Sequence, residues 1–97
     1  MHCSYSIAFP LLLRKTETDG VMVKIKSGHE CVGGSEKNLG KQDSADACRI
    51  ACMAEKGSLC KHFIFGTGSK ARRCYWEESC GEFEEGQYDV YGVSQGK

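Results

Sequence analysis

The sequence has little of what a large buried core or a membrane anchor requires. Its 97 residues include one Trp and one Pro, and a chain of this length buries a smaller share of its surface than a longer one. Thirteen Lys and Arg balance thirteen Asp and Glu, so no net charge attracts nucleic acid or an anionic membrane. No basic stripe interleaved with aromatic residues is present, which also argues against nucleic-acid binding. The composition predicts one small domain that is stabilised by something other than core size.

The longest apolar stretch, residues 4–13, is too short to cross a membrane. Pro10 interrupts it, and it has about half the length that a transmembrane helix needs. Arg14 and Lys15 follow the stretch, whereas a secretory signal carries its positive charge before the apolar run. Either targeting information lies upstream, or the stretch is an arm of the mature protein. Such an arm can pack on its own domain or on a partner. Its candidate partner-binding residues are Ile7, Phe9, Leu11, Leu12 and Leu13.

The first predicted strand covers residues 21–26, where apolar side chains alternate with others. This pattern places Val21, Val23 and Ile25 on one face of a strand that is expected to be half buried. The glycine-rich residues 32–40 are expected to form a loop around a single buried leucine.

The clearest secondary-structure signal is a helix in the middle of the chain. Asp43 or Ser44 can accept hydrogen bonds from the first amides, and Gly57 suits the position after the last turn, near Lys56. Several alanines in between give the segment high helix propensity. The residues expected to share its inward face are Ala47, Cys48, Ile50, Ala51 and Ala54.

Three further strands complete the prediction. Residues 62–65 and 74–76 are rich in aromatic and β-branched side chains and predict a hairpin whose loop is residues 66–72. A last strand is predicted at 88–93, followed by a frayed tail at 94–97. The predicted fold class is α+β: a small disulfide-rich domain in which one helix packs on a short antiparallel sheet.

Cysteine is the one residue that the chain has in excess. Seven Cys in a chain this short indicate disulfide cross-links and an oxidising compartment, either an organelle lumen or the secretory and extracellular space. Cys48 and Cys52 lie one helical turn apart with parallel side chains, so each is expected to bond elsewhere. Cys3 is left over when the other six pair, and is either a buried free thiol, an intermolecular bridge or a sign of a misassigned partner.

Catalytic and metal-binding chemistry finds little support in the sequence. Structural zinc sites present Cys-x2-Cys or His-x3-5-His spacings, and a thiol oxidoreductase needs Cys-x-x-Cys; the chain has none of these. No nucleophile and base are arranged around the three histidines. We therefore expect no enzyme activity, no cofactor and no metal. These histidines are His2, His29 and His62.

The cysteine spacing resembles that of PAN/apple domains. The motifs that carry the resemblance are Cys48-Arg-Ile-Ala-Cys52 on the helix, Cys60-Lys-His-Phe63 on a strand, and Cys74 on the next strand. The likeness covers roughly residues 31–93. The sequences of the segments Asn38-Leu-Gly-Lys41 and Tyr88-Asp-Val-Tyr91 are similar to those of PAN-like modules of alveolate algae.

The resemblance implies a nested disulfide pairing and a division of the chain. It joins Cys48 to Cys74 and Cys52 to Cys60, while a bond between Cys31 and Cys80 would close the ends. Cys80 departs from the family pattern, because the end-closing cysteine of apple domains usually follows the last strand. The implied division is an amino-terminal arm with an apolar stretch and a strand at 1–28, a PAN/apple-like domain at 29–93 and a tail at 94–97.

The expected function is non-enzymatic protein binding, as a small accessory or stabilising subunit of a larger assembly. The likeness to algal modules implies a lumenal subunit of an organellar or photosynthetic membrane complex, peripheral to the membrane. The alternative is a secreted adhesion or lectin-like module that binds protein or carbohydrate. A subunit would bury its arm against another chain, whereas a secreted binder would present an organised loop such as residues 66–73.

Overall fold

The computed structural model describes residues 20–95, and the remaining residues, 1–19 and 96–97, lie outside this description. Five antiparallel strands form one sheet in the order β1-β5-β3-β4-β2, so β1 and β2 are its edge strands. One helix packs on the sheet, which confirms the predicted α+β class. The elements are β1 (Gly20–Cys31), β2 (Glu36–Lys41), α1 (Ala45–Lys56), β3 (His62–Gly66), β4 (Arg73–Glu77) and β5 (Phe83–Gln95).

Helix α1 begins and ends where its capping residues predict. The Ser44 hydroxyl accepts a hydrogen bond from the amide of Ala47 at 3.1 Å, which satisfies one of the first unpaired donors. Gly57 ends the helix at a φ of 56°, a conformation that glycine adopts without the steric cost of a Cβ. The helix is therefore fixed at both ends by local sequence.

The helix covers one side of the sheet, which we call the helix face. Its core contains two disulfides, Cys48–Cys74 and Cys52–Cys60, whose four cysteines are fully buried. Phe63 and Trp76 pack in the same cluster, and the ring of Phe63 stacks on Tyr91 with centroids 4.9 Å apart. The bridges join α1 to β4 and to Cys60, two residues before β3, so the main core is covalently closed.

We call the opposite side of the sheet the open face. A second, smaller core of Ile64, Tyr88 and Val90 lies at one end of this face. The third disulfide, Cys31–Cys80, packs against it and joins the end of β1 to the loop before β5. All three bridges match the pairing implied by the PAN/apple resemblance.

The prediction that the apolar face of β1 is half buried is wrong. Register places Met22 opposite Val93, and Met22 is the β1 residue that packs into the helix-face core. Its neighbours in the chain therefore point to the open face, because successive side chains of a strand alternate. The three residues expected to be half buried, Val21, Val23 and Ile25, are exposed.

Two more predictions are corrected by the structure. Residues 36–40 of the expected loop, together with Lys41, form β2, which is ordered by pairing with β4 through partners such as Glu36 and Glu77. On α1 the buried residues are Cys48, Arg49 and Cys52, whereas Ile50 is exposed. The two bridges fix which side of the helix points inward, and Ile50 falls outside it. Ala54, also expected inward, is exposed as well.

The terminal strands are longer than predicted. Strand β5 extends from Phe83 to Gln95, so the first two residues of the expected tail belong to the sheet. Strand β1 extends to Cys31 and pairs with β5 along most of its length. Residues 20–28, which the division of the chain assigned to the arm, therefore lie in the same sheet as the rest of the domain.

Candidate protein-binding surface

On the helix face, the described side chains between the helix and the sheet fill the core. Phe63 and the four cysteines are fully buried, and Trp76 closes the cluster by donating its indole N–H to the carbonyl of Leu59 at 2.9 Å. The Lys56 ammonium lies 4.1 Å from the centroid of the same ring. A binding site within the described residues must therefore lie on the outer surface.

The most unusual surface feature is a row of three branched apolar side chains on β1. Val21, Val23 and Ile25 are 56%, 61% and 45% exposed, and together we call them the β1 patch. Single exposed apolar residues are ordinary on protein surfaces. Three exposed apolar side chains at alternate positions of an edge strand lie on the same face and form a contiguous apolar area, of the kind that marks an interaction site.

A shallow groove of about 380 Å³ runs beside the β1 patch. Gly92 of β5 lies opposite Val23, and the Cδ1 atom of Ile25 is 3.0 Å from the position that a Cβ at residue 92 would occupy. The groove is open at this point because Gly92 has no side chain to fill it. Lys61 and His62 also line it.

The histidine in the groove is an uncharged, apolar-like element. Burial, followed by the nearby Lys61, lowers the pKa of His62, so its neutral form is favoured near neutral pH. Its Nδ1 atom is buried and has no hydrogen-bond partner among residues 20–95. His62 therefore contributes ring surface to the groove, and no described nucleophile is hydrogen-bonded to this nitrogen.

Lysines frame the β1 patch. The Lys26 ammonium lies 5.8 Å from the centroid of the Phe83 ring, whereas Lys24 lies on the other side of the strand, with Met22, and forms an ion pair with Asp89 at 3.3 Å. Lys61 is exposed beside the groove. The apolar area thus has a mainly basic border, which suits an apolar segment flanked by acidic residues.

The backbone of β1 adds a second means of recognition. One edge of this 12-residue strand pairs with β5, and within residues 20–95 no strand pairs with the other edge. Irregularities after Lys24 and after Ser27 interrupt the register. Such bulges limit edge-to-edge aggregation. The part of β1 before the first bulge, Gly20 to Lys24, is regular and can pair with an added strand.

A group of carboxylates lies on the sheet away from the patch. Glu77 is only 3% exposed, faces Glu36 directly across β2 and β4, and its Oε2 atom has no hydrogen-bond partner among the described residues. Burial, then the hydrogen bond and charge of Glu36, then the charge of Glu30, raise the pKa of Glu77 to about 9. Burial and the charges of Glu84 and Glu36 also raise the pKa of Glu30. With a pKa of about 9, Glu77 holds a proton at neutral pH, so it is a neutral hydrogen-bonding group of the sheet rather than a charged ligand.

The loop between β3 and β4 is organised by one side chain of β5. The amide and the hydroxyl of Ser69 both donate to Oε1 of Gln87 at 2.7 Å, and the amide of Thr67 donates to the Gln87 carbonyl at 2.8 Å. Arg72 forms an exposed ion pair with Asp43 at 3.0 Å. The predicted loop, residues 66–73, is thus ordered and largely exposed.

The predicted partner-binding residues of the arm are not among these features. Ile7, Phe9, Leu11, Leu12 and Leu13 lie outside the described residues, as does Cys3. Their roles stay predictions.

Sequence reasoning missed the β1 patch although its residues were recognised as one face. The available signal was Met22, a large apolar residue on the other face of the same strand. A strand with apolar residues on both faces can bury only one of them in a domain with a single covering helix. Which face is buried depends on pairing with β5, which the sequence pattern does not specify.

Within residues 20–95, no three His, Cys, Asp or Glu side chains are arranged to hold a metal ion. The same part of the chain contains no helix that is long and apolar enough to cross a membrane. The three disulfides indicate an oxidising compartment.

Comparison with known proteins adds no relative to this picture. No protein-family model matches the chain, and no curated protein matches it. The PAN/apple resemblance therefore rests on the cysteine spacing and the motifs around it.

Proposed function

We propose that the protein is a non-enzymatic protein-binding module, a small accessory subunit that docks on a larger partner through the β1 patch. The observation that carries this proposal is the row of three exposed branched side chains beside a groove on a free sheet edge. Burying an apolar side chain of this size is worth about 1.5 to 3 kcal/mol. Because the three side chains are already about half buried, each would contribute about half of that value, and backbone pairing along the edge of β1 would add to it.

The partner that fits this surface is an extended protein segment. Alternate apolar side chains of the segment would enter the groove above Gly92, and its backbone would pair with Gly20 to Lys24. Acidic residues flanking the segment would meet Lys26 and Lys61 at the border. Charge at the border would speed association, whereas the apolar contact would set the lifetime of the complex.

The setting of this proposal is an oxidising compartment, because a chain with three disulfides is stable there. The short sequence motifs that resemble PAN-like modules of alveolate algae support a narrower proposal. In it, the protein is a lumenal subunit of an organellar or photosynthetic membrane complex. The domain itself is proposed to be of PAN/apple type.

The test uses the 97-residue chain as bait in extracts of its source. Val23→Lys places a charge in the middle of the β1 patch, and the matched control is Ile50→Lys, which changes a 43% exposed residue on the helix. We expect the wild type and Ile50→Lys to retain the same partner in a constant ratio, and Val23→Lys to lose it. Equal retention by both variants would contradict docking through the β1 patch.

A second candidate function, adhesion or lectin-like binding, is favoured by the ordered loop at residues 66–73. Gln87 holds this loop in one conformation while leaving Arg72 at the surface. Under this alternative, a glycan or protein ligand would be lost in a Lys70→Ala, Arg72→Ala variant and kept in Val23→Lys. The opposite pattern supports the β1 patch.

A further inference from the structure

The β1 patch is an exposed apolar surface, and the chain outside the described residues carries a segment that matches it. The described chain begins at Gly20, the first residue of β1, and Val21 already lines the groove. Nineteen residues precede Gly20, and residues 7–13 among them read Ile-Ala-Phe-Pro-Leu-Leu-Leu. The apolar part of the arm is therefore joined to the end of the groove through residues 14–20.

The connection has the length needed to bring this segment back over the patch. Seven residues, 14–20, separate it from Val21 and reach about 23 Å when extended. Reversal of an antiparallel connection needs only about two to five residues. The patch itself, from Val21 to Ile25, is about 13 Å long at the rise of a β-strand. A seven-residue segment is therefore long enough to cover it.

We infer that residues 7–13 of this chain cover the β1 patch in the free protein, so that a partner must displace them. A short tether gives the segment an effective concentration in the millimolar range. A second copy of the chain at micromolar concentration is therefore disfavoured by about a thousandfold for the same surface. The arm is in this way an internal competitor of the partner.

This inference rests on the docking face of the proposed function, but it does not require that the partner be known. The experiment is methyl NMR on the free 97-residue chain, with labelled Leu, Val and Ile side chains. We expect nuclear Overhauser cross-peaks between methyl groups of Leu11 to Leu13 and those of Val21 or Val23. These cross-peaks should have constant relative intensity on dilution from about 500 to about 20 μM, because the contact lies within one chain.

Two variants separate this contact from a general change in structure. Leu11→Asp with Leu13→Asp should abolish the cross-peaks and shift the Val23 methyl resonances. The matched control, Thr16→Asp with Thr18→Asp, adds the same charge in the connection and should leave both unchanged. Absence of cross-peaks in the wild type would overturn the inference, as would cross-peaks that arise only between differently labelled molecules.

The outcome is separable from that of the capture experiment. Cross-peaks within one chain, combined with no partner sensitive to Val23→Lys, would retain the internal contact and reject the docking function. If both hold, the Leu11→Asp, Leu13→Asp variant should bind the partner at least tenfold more tightly, because no internal segment competes for the groove. Unchanged or weaker binding by this variant would contradict the displacement step.

Discussion

The two faces of the sheet use similar apolar residues for different purposes. On the helix face, Phe63 and Trp76 are buried and held beneath a helix that two disulfides fix in place. On the open face, Val21 and Val23 are more than half exposed and no described element covers them. Two disulfides and a helix close the core of the helix face, whereas the third disulfide lies at the other end of the open face from the β1 patch. The β1 patch is thereby left available for contact with another segment.

The largest effect should follow from opening the helix face. Replacing both Cys48 and Cys74 by Ala removes a bridge of sequence separation 26, which restricts the unfolded chain by about 3.5 kcal/mol in the chain-entropy treatment. The Cys31–Cys80 bridge, with separation 49, gives about 4 kcal/mol by the same treatment. Entropy alone therefore ranks the second bridge slightly higher.

Burial should reverse that order. Cys48 and Cys74 are fully buried, whereas Cys31 and Cys80 are half buried, so only the first pair leaves a cavity inside the main core. Urea unfolding should show a greater loss of unfolding free energy for Cys48→Ala, Cys74→Ala than for Cys31→Ala, Cys80→Ala. A larger loss for the second variant would mean that the helix face does not dominate stability.

A different kind of effect, a slope of unfolding free energy against pH, is expected to originate away from the β1 patch. The pKa of Glu77 in the folded protein is about 9, above its ordinary 4.5, so the folded state retains a proton that the unfolded state releases. The unfolding free energy should therefore be highest below pH 4.5. It should fall as pH rises towards 9, by at most about 1.4 kcal/mol per unit, and then level off.

Glu77→Gln should remove most of this decline, because a neutral amide does not titrate. The control is Glu82→Gln, which changes an exposed carboxylate in the loop before β5. Thermal melts between pH 4.5 and 9 would show the difference as a flatter profile for Glu77→Gln alone. A profile equally steep in both variants would assign the pH dependence to other groups.

A smaller loss should follow from replacing the one tryptophan. Trp76→Phe removes the hydrogen bond to the Leu59 carbonyl and part of the ring that contacts Lys56. A neutral hydrogen bond contributes about 1 kcal/mol, so the unfolding free energy should fall by about that amount or slightly more. A loss below about 0.3 kcal/mol in urea unfolding would indicate that the edge of the helix-face core is loosely packed.

The smallest effect on stability is expected at the β1 patch. Val23→Lys and Ile50→Lys both change exposed side chains, and each should alter the unfolding free energy by no more than about 0.5 kcal/mol. Urea unfolding of the two variants checks this value. A loss of 2 kcal/mol for Val23→Lys would place that residue in a core that the described residues do not reveal.

Local signals made part of this structure predictable. Ser44 and Gly57 are helix-capping residues whose effect depends on neighbours in sequence, and α1 has the predicted ends. The disulfide pairing followed from the resemblance, because the order and spacing of the cysteines carry it. The α+β class followed from these elements together.

Features that depend on pairing between distant residues were not predictable from patterns. Strand β2 is polar apart from Leu39, and its order comes from pairing with β4. The paired residues are distant in sequence, as Glu36 and Glu77 show. The outward face of β1 is set by the pairing of Met22 with Val93 and by the bulge after Lys24. Because a shift of one residue exchanges the two faces of a strand, no local rule distinguishes the buried one.

The most direct test of docking through the open face is a binding titration of the captured partner against the two lysine variants. Val23→Lys should raise the dissociation constant at least tenfold, because a charge would be buried in an apolar contact. Ile50→Lys should stay within about twofold of the wild type, because it lies on the helix. Equal affinities for all three proteins, or a loss confined to Ile50→Lys, would contradict the assignment of binding to the β1 patch.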